Sequence, residues 1–394
     1  MGAIRAGDGS TIDHDEVLRR CRDLVAVLGE RAAEGEALRR VPEATITDVR
    51  DADLFRVIVP TSLGGHGLGL GSLAQGTRIL AHGCPASAWT LSFLMLHAWL
   101  LTRFPATGRA EIFADSPSPF APAPLAPTGS ATPVDGGFRI SGRWEWATGI
   151  AHADWVMVHA IQTDPVFATH FVLLRPDEVE VDDVWFTSGM RATGSNTVQV
   201  IDRFVPSSRT LPSTSLLFGA ETLAGDGLAG HAVPPVLALV AAAPALGAAE
   251  AAVDLYRERL VQRVLAYSLG DRASDQPAAQ VRLATATSDL ASARIRWDAA
   301  IATLDDAARA GAVDEQLRVD TRLAAAATVR ASRSVISTVC EGAGASVYLS
   351  TSPLQRLQRD VEVLKGHVVF DWDRTTELAG RFALDLPLRP TDMI

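Results

Sequence analysis

Paired cysteines and an excess of basic charge are missing from this chain, and no apolar run reads as a membrane span. Each gap removes a class of function. Cys21, Cys84 and Cys340 are its only cysteines and sit far apart. That spacing suits a reducing cytoplasm and excludes a disulfide framework or a zinc site. Positive charge is short, with 36 Lys and Arg against 46 Asp and Glu. The resulting net charge of −10 disfavours a nucleic-acid partner, which needs a basic face to release counterions. Lysine itself is nearly absent, Lys365 being the one example, a bias that fits GC-rich coding better than any chemical demand.

No stretch reads as membrane-spanning. Residues 86–101 are too few to cross comfortably and include His97, while 233–253 contain Pro234, Pro235 and Pro244. Both read as buried helices. The N-terminus has early acids and no apolar core ahead of a cleavage site, so no signal peptide is expected. HExxH, GxSxG, paired Cys/His clusters and a P-loop are absent too, and no metal site is expected. The glycine-rich loop at 60–71 lacks the order that nucleotide-binding loops need.

What is present divides the chain into three textures. Apolar residues recur at helical spacing from Val17 to Leu28. Further helices are expected just before Val57, over 73–81 and over 87–104. From Ser116 the prolines of SPSPFAPAPLAPTGSATP forbid a long helix. Period-two alternation then predicts strands at 138–141, 155–161, 170–174, 179–185 and 197–204. After Pro212, Ala-rich helical patterns at 236–268, 277–309, 314–344 and 354–384 predict a four-helix bundle. The expected fold is therefore α+β and mainly α: an N-terminal helical domain (1–115), a central antiparallel β domain (116–212) and a C-terminal four-helix bundle (213–394). No βαβ alternation supports a Rossmann fold.

Three places could carry chemistry. In SGRWEWATGIAHADW (141–155), Trp146 could wall a flat cofactor while Thr148 and neighbouring amides meet its polar edge. Trp144 and Trp146 read equally well as i, i+2 neighbours covering one sheet face. The polar loop SGMRATGSN (188–196) is either an ordinary β connection or a cradle for a cofactor. His367, in a helix starting near Pro353, and His97, beside Trp99, read as core residues or as functional ones.

Four segments in order resemble the acyl-CoA dehydrogenase fold, and within it the two-component flavin-dependent (group D) monooxygenases. They are 88–105 (AWTLSFLMLHAWLLTRFP), 127–159, 187–209 (TSGMRATGSNTVQVIDRFVPSSR) and 353–380 (PLQRLQRDVEVLKGHVVFDWDRTTELAG). The dehydrogenases commonly place a proton-abstracting glutamate eight residues after the Asp of an Arg-Asp pair. Here that position, counted from Asp360, is Val368, which cannot accept a proton. His367 precedes it, where the hydroxylase relatives place their active-site histidine. A dehydrogenase with a base on another helix, or a non-catalytic flavin-binding relative, are the alternatives.

The resemblance implies an oxygenase component that receives reduced flavin, FMN or FAD, from a separate reductase. Reaction with O2 gives a C4a-hydroperoxide, which oxygenates a small aromatic, polyketide-like or amine substrate. It also implies residue roles. Trp146 lines the flavin, the catalytic Thr148 hydroxyl and neighbouring amides such as that of Ala147 meet its N5/O4 edge, Gly194 and Ser195 touch its ring or phosphate side, and Thr148 stands where many relatives have serine. His367 orients or deprotonates the substrate, beside Trp89 and His97. Glu341-Gly342-Ala343-Gly344 resembles the bundle turn that takes the cofactor's phosphate end from a neighbouring subunit, with Arg263 and Arg272 as further candidates. A cytoplasmic homotetramer, with no nucleic-acid or membrane partner, is the implied assembly.

Overall fold

The computed structural model describes residues 12–219, 222–265, 270–389, 391–392 and 394. The N-terminal residues read for a signal peptide, apart from 12 onward, and the last turn of the helix expected over 236–268 lie outside them. The chain enters through α1 (His14–Glu30), started by Asp13, whose carboxylate accepts the Glu16 N–H at 2.9 Å. Its buried stripe of Val17, Cys21, Leu24 and Leu28 follows the spacing read from the sequence. Two short helices, α2 (Ala32–Leu38) and α3 (Glu43–Asp51), lead to α4 (Leu70–Ala81).

The central helix is α5 (Pro85–Leu101), opened by a proline at its first turn and buried at all 17 positions. A helix apolar on every side has no solvent face to choose, so it is surrounded. Each of its large side chains withdrawn from water contributes on the order of 1.5–3 kcal/mol. A short α6 (Ala106–Ile112) closes the helical layer.

The strands are β1 (Gly129–Val134), β2 (Gly137–Ala147), β3 (Val156–Gln162), β4 (Ala168–Leu174), β5 (Glu180–Asp182), β6 (Asn196–Pro206) and β7 (Thr210–Pro212). They form one sheet in the order β5-β6-β2-β1-β3-β4-β7. Alternation sorts side chains between its faces. Met157, Phe171 and Leu173 join the main helical core, while Val156, Val158, Val172 and Leu174 join a second core with Ile140 and Trp144. The sheet is mixed rather than wholly antiparallel, because β1 and β3 run parallel. After β2 the chain leaves the sheet through residues 148–155, and β3 re-enters beside β1 instead of β2. The strand expected over 179–185 ends at Asp182, because the Val184 and Trp185 N–H groups turn to the Asn196 Oδ1 at 3.0 Å.

After α7 (Ser213–Phe218), the bundle is built from α8 (Val233–Gln262), α9 (Pro277–Arg309) and α10 (Glu315–Ala343). α8 is long and apolar enough to cross a membrane, yet 94% of its most apolar stretch is buried inside the protein. The fourth expected helix is broken. α11 (Pro353–Leu364) stops before Gly366, and α12 (Trp372–Ala383) restarts under a new cap, the Asp371 carboxylate accepting the Arg374 N–H at 3.1 Å. Glycine and two β-branched valines weaken the helix between them, and a competing cap finishes the break. His367 therefore sits in a turn, with extended backbone (φ −65°, ψ 136°), not within a helix.

Candidate active site

At the end of β2 the pairing with β6 slips between Trp144 and Ala147, a β-bulge. Trp146 occupies it with φ +67°, a conformation costing a bulky residue on the order of 1–3 kcal/mol. The bulge separates the two tryptophans. Trp144 is fully buried, its Nε1–H donating to the His159 carbonyl at 2.7 Å, whereas the Trp146 ring is turned out and 62% exposed. The same-face reading of this pair is thus corrected.

Beyond the bulge, the chain folds against the 188–195 loop. Gly149 (φ +75°) donates its N–H to the Thr193 carbonyl at 2.9 Å. The Thr148 and Ser195 hydroxyls meet at 2.9 Å, and Ser195 and Thr193 at 2.8 Å, giving a chain of three. Ala147 and Gly194, both buried, frame it. The other side of Gly149 faces α5, where an added Cβ would stand 3.0 Å from Thr90 Cγ2.

An aromatic row begins on α5 at Trp89, the residue just before Thr90. Trp89 and Phe93 lie 4.7 Å apart, and Phe93 and His97 lie 5.5 Å apart. Trp89 also meets His367 edge-on at 5.4 Å, with Phe370 beyond it at 5.9 Å. Ring contacts thus join Trp89, His97 and His367 in one row, along the helix whose Thr90 meets Gly149. Phe93, at i+4 from Trp89 and i−4 from His97, was open to the same helical spacing that marked its neighbours.

Both histidines are held neutral. Burial pushes His97 down to about 4. Its Nδ1–H donates to the Ala121 carbonyl at 2.8 Å, since a carbonyl only accepts. That leaves Nε2 as a buried lone pair without a partner among the described residues. His367 is likewise pushed down to about 4, by burial first and then by the Arg322 guanidinium. The Val369 N–H faces its Nδ1 at 3.4 Å, and Arg322 Nη2 donates to the Val368 carbonyl at the same distance.

The third predicted group stands apart. Arg263 Nη1 and Arg259 Nε both donate to the Ala343 carbonyl at 2.8 Å, closing the end of α10. Gly344 turns the chain there with φ +80°, and Gly342 packs so tightly on Tyr256 that a Cβ would lie 2.4 Å from its hydroxyl. Arg272 pairs through its backbone with Val264. Among the described residues, this cluster shares no hydrogen bond or ring contact with Thr148, Ser195 or His367.

The residues present fit a flat heteroaromatic cofactor. The exposed Trp146 ring, the Thr148 and Ser195 hydroxyls and the positive-φ Gly149 and Gly194 belong to one turn, and Gly149 packs against α5, the helix that carries the aromatic row. A family model described as acyl-CoA dehydrogenase, C-terminal domain, matches residues 239–372. Over 386 residues the chain is 33% identical to a pigment production hydroxylase from a Rhodococcus species, covering 96% of this chain and 98% of that one. It is 30% identical over 388 residues to HsaA, the oxygenase subunit of a flavin-dependent monooxygenase from Rhodococcus jostii, covering 95% and 100%. The structure matches XiaF from a Streptomyces species, solved with FADH2 and glycerol, at a TM-score of 0.90 and 27% identity, covering 96% of this chain and 97% of that one. The relatives' likenesses cover at least 95% of each chain, and the chain belongs to the flavin-dependent monooxygenases of the acyl-CoA dehydrogenase fold, as an oxygenase component served by a separate reductase.

Proposed function

We propose that this enzyme hydroxylates a small aromatic or polyketide-like ring bearing a hydroxyl or amine group, held between the Trp89 wall and the Thr148 turn. The observation that carries this reading is the neutral His367 imidazole standing edge-on to Trp89 at 5.4 Å. When bound, reduced flavin supplies the electrons that activate O2. The protein's share is to bind, orient and keep water out. Trp146 lines the ring. The Thr148 and Ser195 hydroxyls, with the Ala147 and Gly194 backbone, meet its polar edge. Trp89 packs on the substrate, and His97 Nε2 accepts a hydrogen bond from it.

His367 orients the substrate hydroxyl before it takes any proton. A free phenol with a pKa near 10 and an imidazole near 4 differ by about six units, or on the order of 8 kcal/mol against full transfer. A proton therefore moves to His367 only as negative charge on the substrate raises the imidazole's affinity for it. Arg263, Gly342 and Gly344 take the phosphate end of a flavin from a neighbouring subunit in a cytoplasmic homotetramer.

The test supplies reduced FMN or FAD, oxygen and a panel of phenols, anilines and hydroxylated polyketide-like rings, and counts product against peroxide. Wild type gives hydroxylated product. His367→Asn still binds reduced flavin but diverts turnover to peroxide, with product falling on the order of 100-fold. Equal product yield from both proteins overturns the assignment of His367.

A further inference from the structure

The loop that ends in Ser195 and the helix that leads to His367 are far apart in sequence, yet one buried side chain joins them across 170 residues, from Asp360 to Met190. Asp360, on α11, is 3% exposed, and its Oδ1 accepts the Met190 N–H at 2.6 Å. Met190 opens the turn that ends in Ser195, and its φ of +52° is one the loop adopts only under constraint. Asp360 forms no ion pair among the described residues. The cations beside it are engaged by Glu36, whose carboxylate meets Arg359 Nη1 at 2.5 Å and Arg356 Nε at 3.4 Å. A second contact runs parallel, because Arg359 Nη1 also donates to the Ser188 carbonyl. A third is steric. Gly189 lies so close to α11 that a Cβ would come within 2.1 Å of the Arg359 carbonyl. Three residues after α11 ends at Leu364 comes His367, whose N–H donates back to the Leu364 carbonyl at 3.0 Å.

Building on the assignment of His367 and Ser195 above, we propose that Asp360 is a positioning residue that fastens the 188–195 loop to α11, so that the flavin-side hydroxyls and the substrate-side imidazole are held at one fixed separation. A buried carboxylate without a cation is costly, and burial pushes Asp360 up to about 7. An apolar residue there would spare that cost but leave the Met190 N–H buried and unpaired. No neutral hydrocarbon can replace the contact, whereas asparagine, which keeps a carbonyl oxygen in place, can.

The experiment compares wild type, Asp360→Asn, Asp360→Ala and Arg359→Gln. The last alters a partly exposed side chain and tests the same fastening should the alanine variant fold poorly. Hydrogen exchange on the flavin-free protein is read at residues 187–196 and 365–371, with β3 and β4 as the internal reference. Peroxide released per reduced flavin consumed is then measured with substrate present. Asp360→Ala should raise exchange about tenfold in both segments while the reference strands stay protected. Its peroxide fraction should rise at least about threefold. Asparagine should restore both readouts, and Arg359→Gln should move both in the same direction by less. Faster exchange confined to 187–196, or coupled exchange with an unchanged peroxide fraction in Asp360→Ala and Arg359→Gln, overturns the proposal. Failure of wild type itself to bind reduced flavin overturns the function instead, and leaves the exchange result to judge the fastening.

Discussion

Acidification from pH 7 to pH 5 sets His97 and His367 against the carboxyl of Asp360, and the structure says which way each pulls. His97 and His367 are pushed from about 6.5 in the unfolded chain to about 4 in the folded one. The unfolded chain therefore binds protons first as the pH falls. The stability each gives is complete above 6.5 and is lost on the way down to 4. At pH 5 the loss is about 2 kcal/mol for each. Asp360 acts in the opposite sense. Raised from 3.8 to about 7, it takes up its proton in the folded state and gains about 2 kcal/mol over the same interval. His152, His159 and His170, all lowered chiefly by burial, add further loss on acidification, while Asp226, raised by burial, acts with Asp360. The decisive quantity is thus the difference between variants, in which shared terms cancel. Urea unfolding at the two pH values should show Asp360→Asn losing about 2 kcal/mol more than wild type, and His367→Asn about 2 kcal/mol less. Selective labelling of the histidine rings gives an independent check by NMR titration. A His367 ring that titrates near 6.5, or equal pH dependence in all three proteins, would refute the reasoning.

Two further substitutions probe the hydroxyl turn. Ser195→Ala leaves the buried Thr193 hydroxyl without its described partner, a cost of about 1–3 kcal/mol. It also frees Thr148, so anaerobic titration should show weaker binding of reduced flavin, and unchanged affinity would remove Ser195 from the site. Gly149→Ala and Gly136→Ala make a matched pair, with φ of +75° and +76°. Each should lose about 1 kcal/mol in stability through the left-handed backbone. Only at Gly149 does the new methyl press on Thr90, at 3.0 Å, while Gly136 has nothing within 4 Å. Flavin affinity should therefore fall for Gly149→Ala alone, and parallel losses in both would show that backbone strain, not the α5 contact, is responsible.

What the sequence made legible is whatever a single period carries. The apolar stretch around Trp89 and His97 reads as a buried helix, and the alternation from Met157 to Leu174 reads as half-buried strands, because local spacing alone decides both. Non-local contacts escaped it. Trp146 turns away from Trp144 because β6 forces a bulge there, which an i, i+2 count does not register. Arg263 is engaged at the end of α10, where the Ala343 carbonyl 80 residues away needed a donor. The break at His367 had local signs, Gly366 and the Asp371 cap, outweighed by the strong apolar spacing on either side. Asp360 was visible only as half of an Arg-Asp pair, with nothing nearby to name Met190 as its partner.

Asp360 also gauges why an imidazole, and not a carboxylate, stands at 367. Burial favours the neutral form of any acid or base. A neutral carboxylic acid keeps its proton and offers it as a donor, as Asp360, raised to about 7, begins to do at neutral pH. A neutral imidazole keeps an open lone pair, so the same pressure that disables a carboxylate leaves a histidine able to receive a substrate's O–H. His367→Glu should therefore invert the pH behaviour of hydroxylation. Wild type, with His367 pushed down to about 4, should form product at a steady rate from pH 6 to pH 8. The glutamate, facing Trp89 and Phe370 in the same turn, should be nearly inactive at pH 6 and recover as the pH rises past about 7. Product formation measured across that range, with flavin supplied already reduced, separates this effect from any change in the reductase. A glutamate variant with full activity at pH 6 would mean the corner is wet enough to keep a carboxylate charged, and the dry-wall account of this site would fail with it.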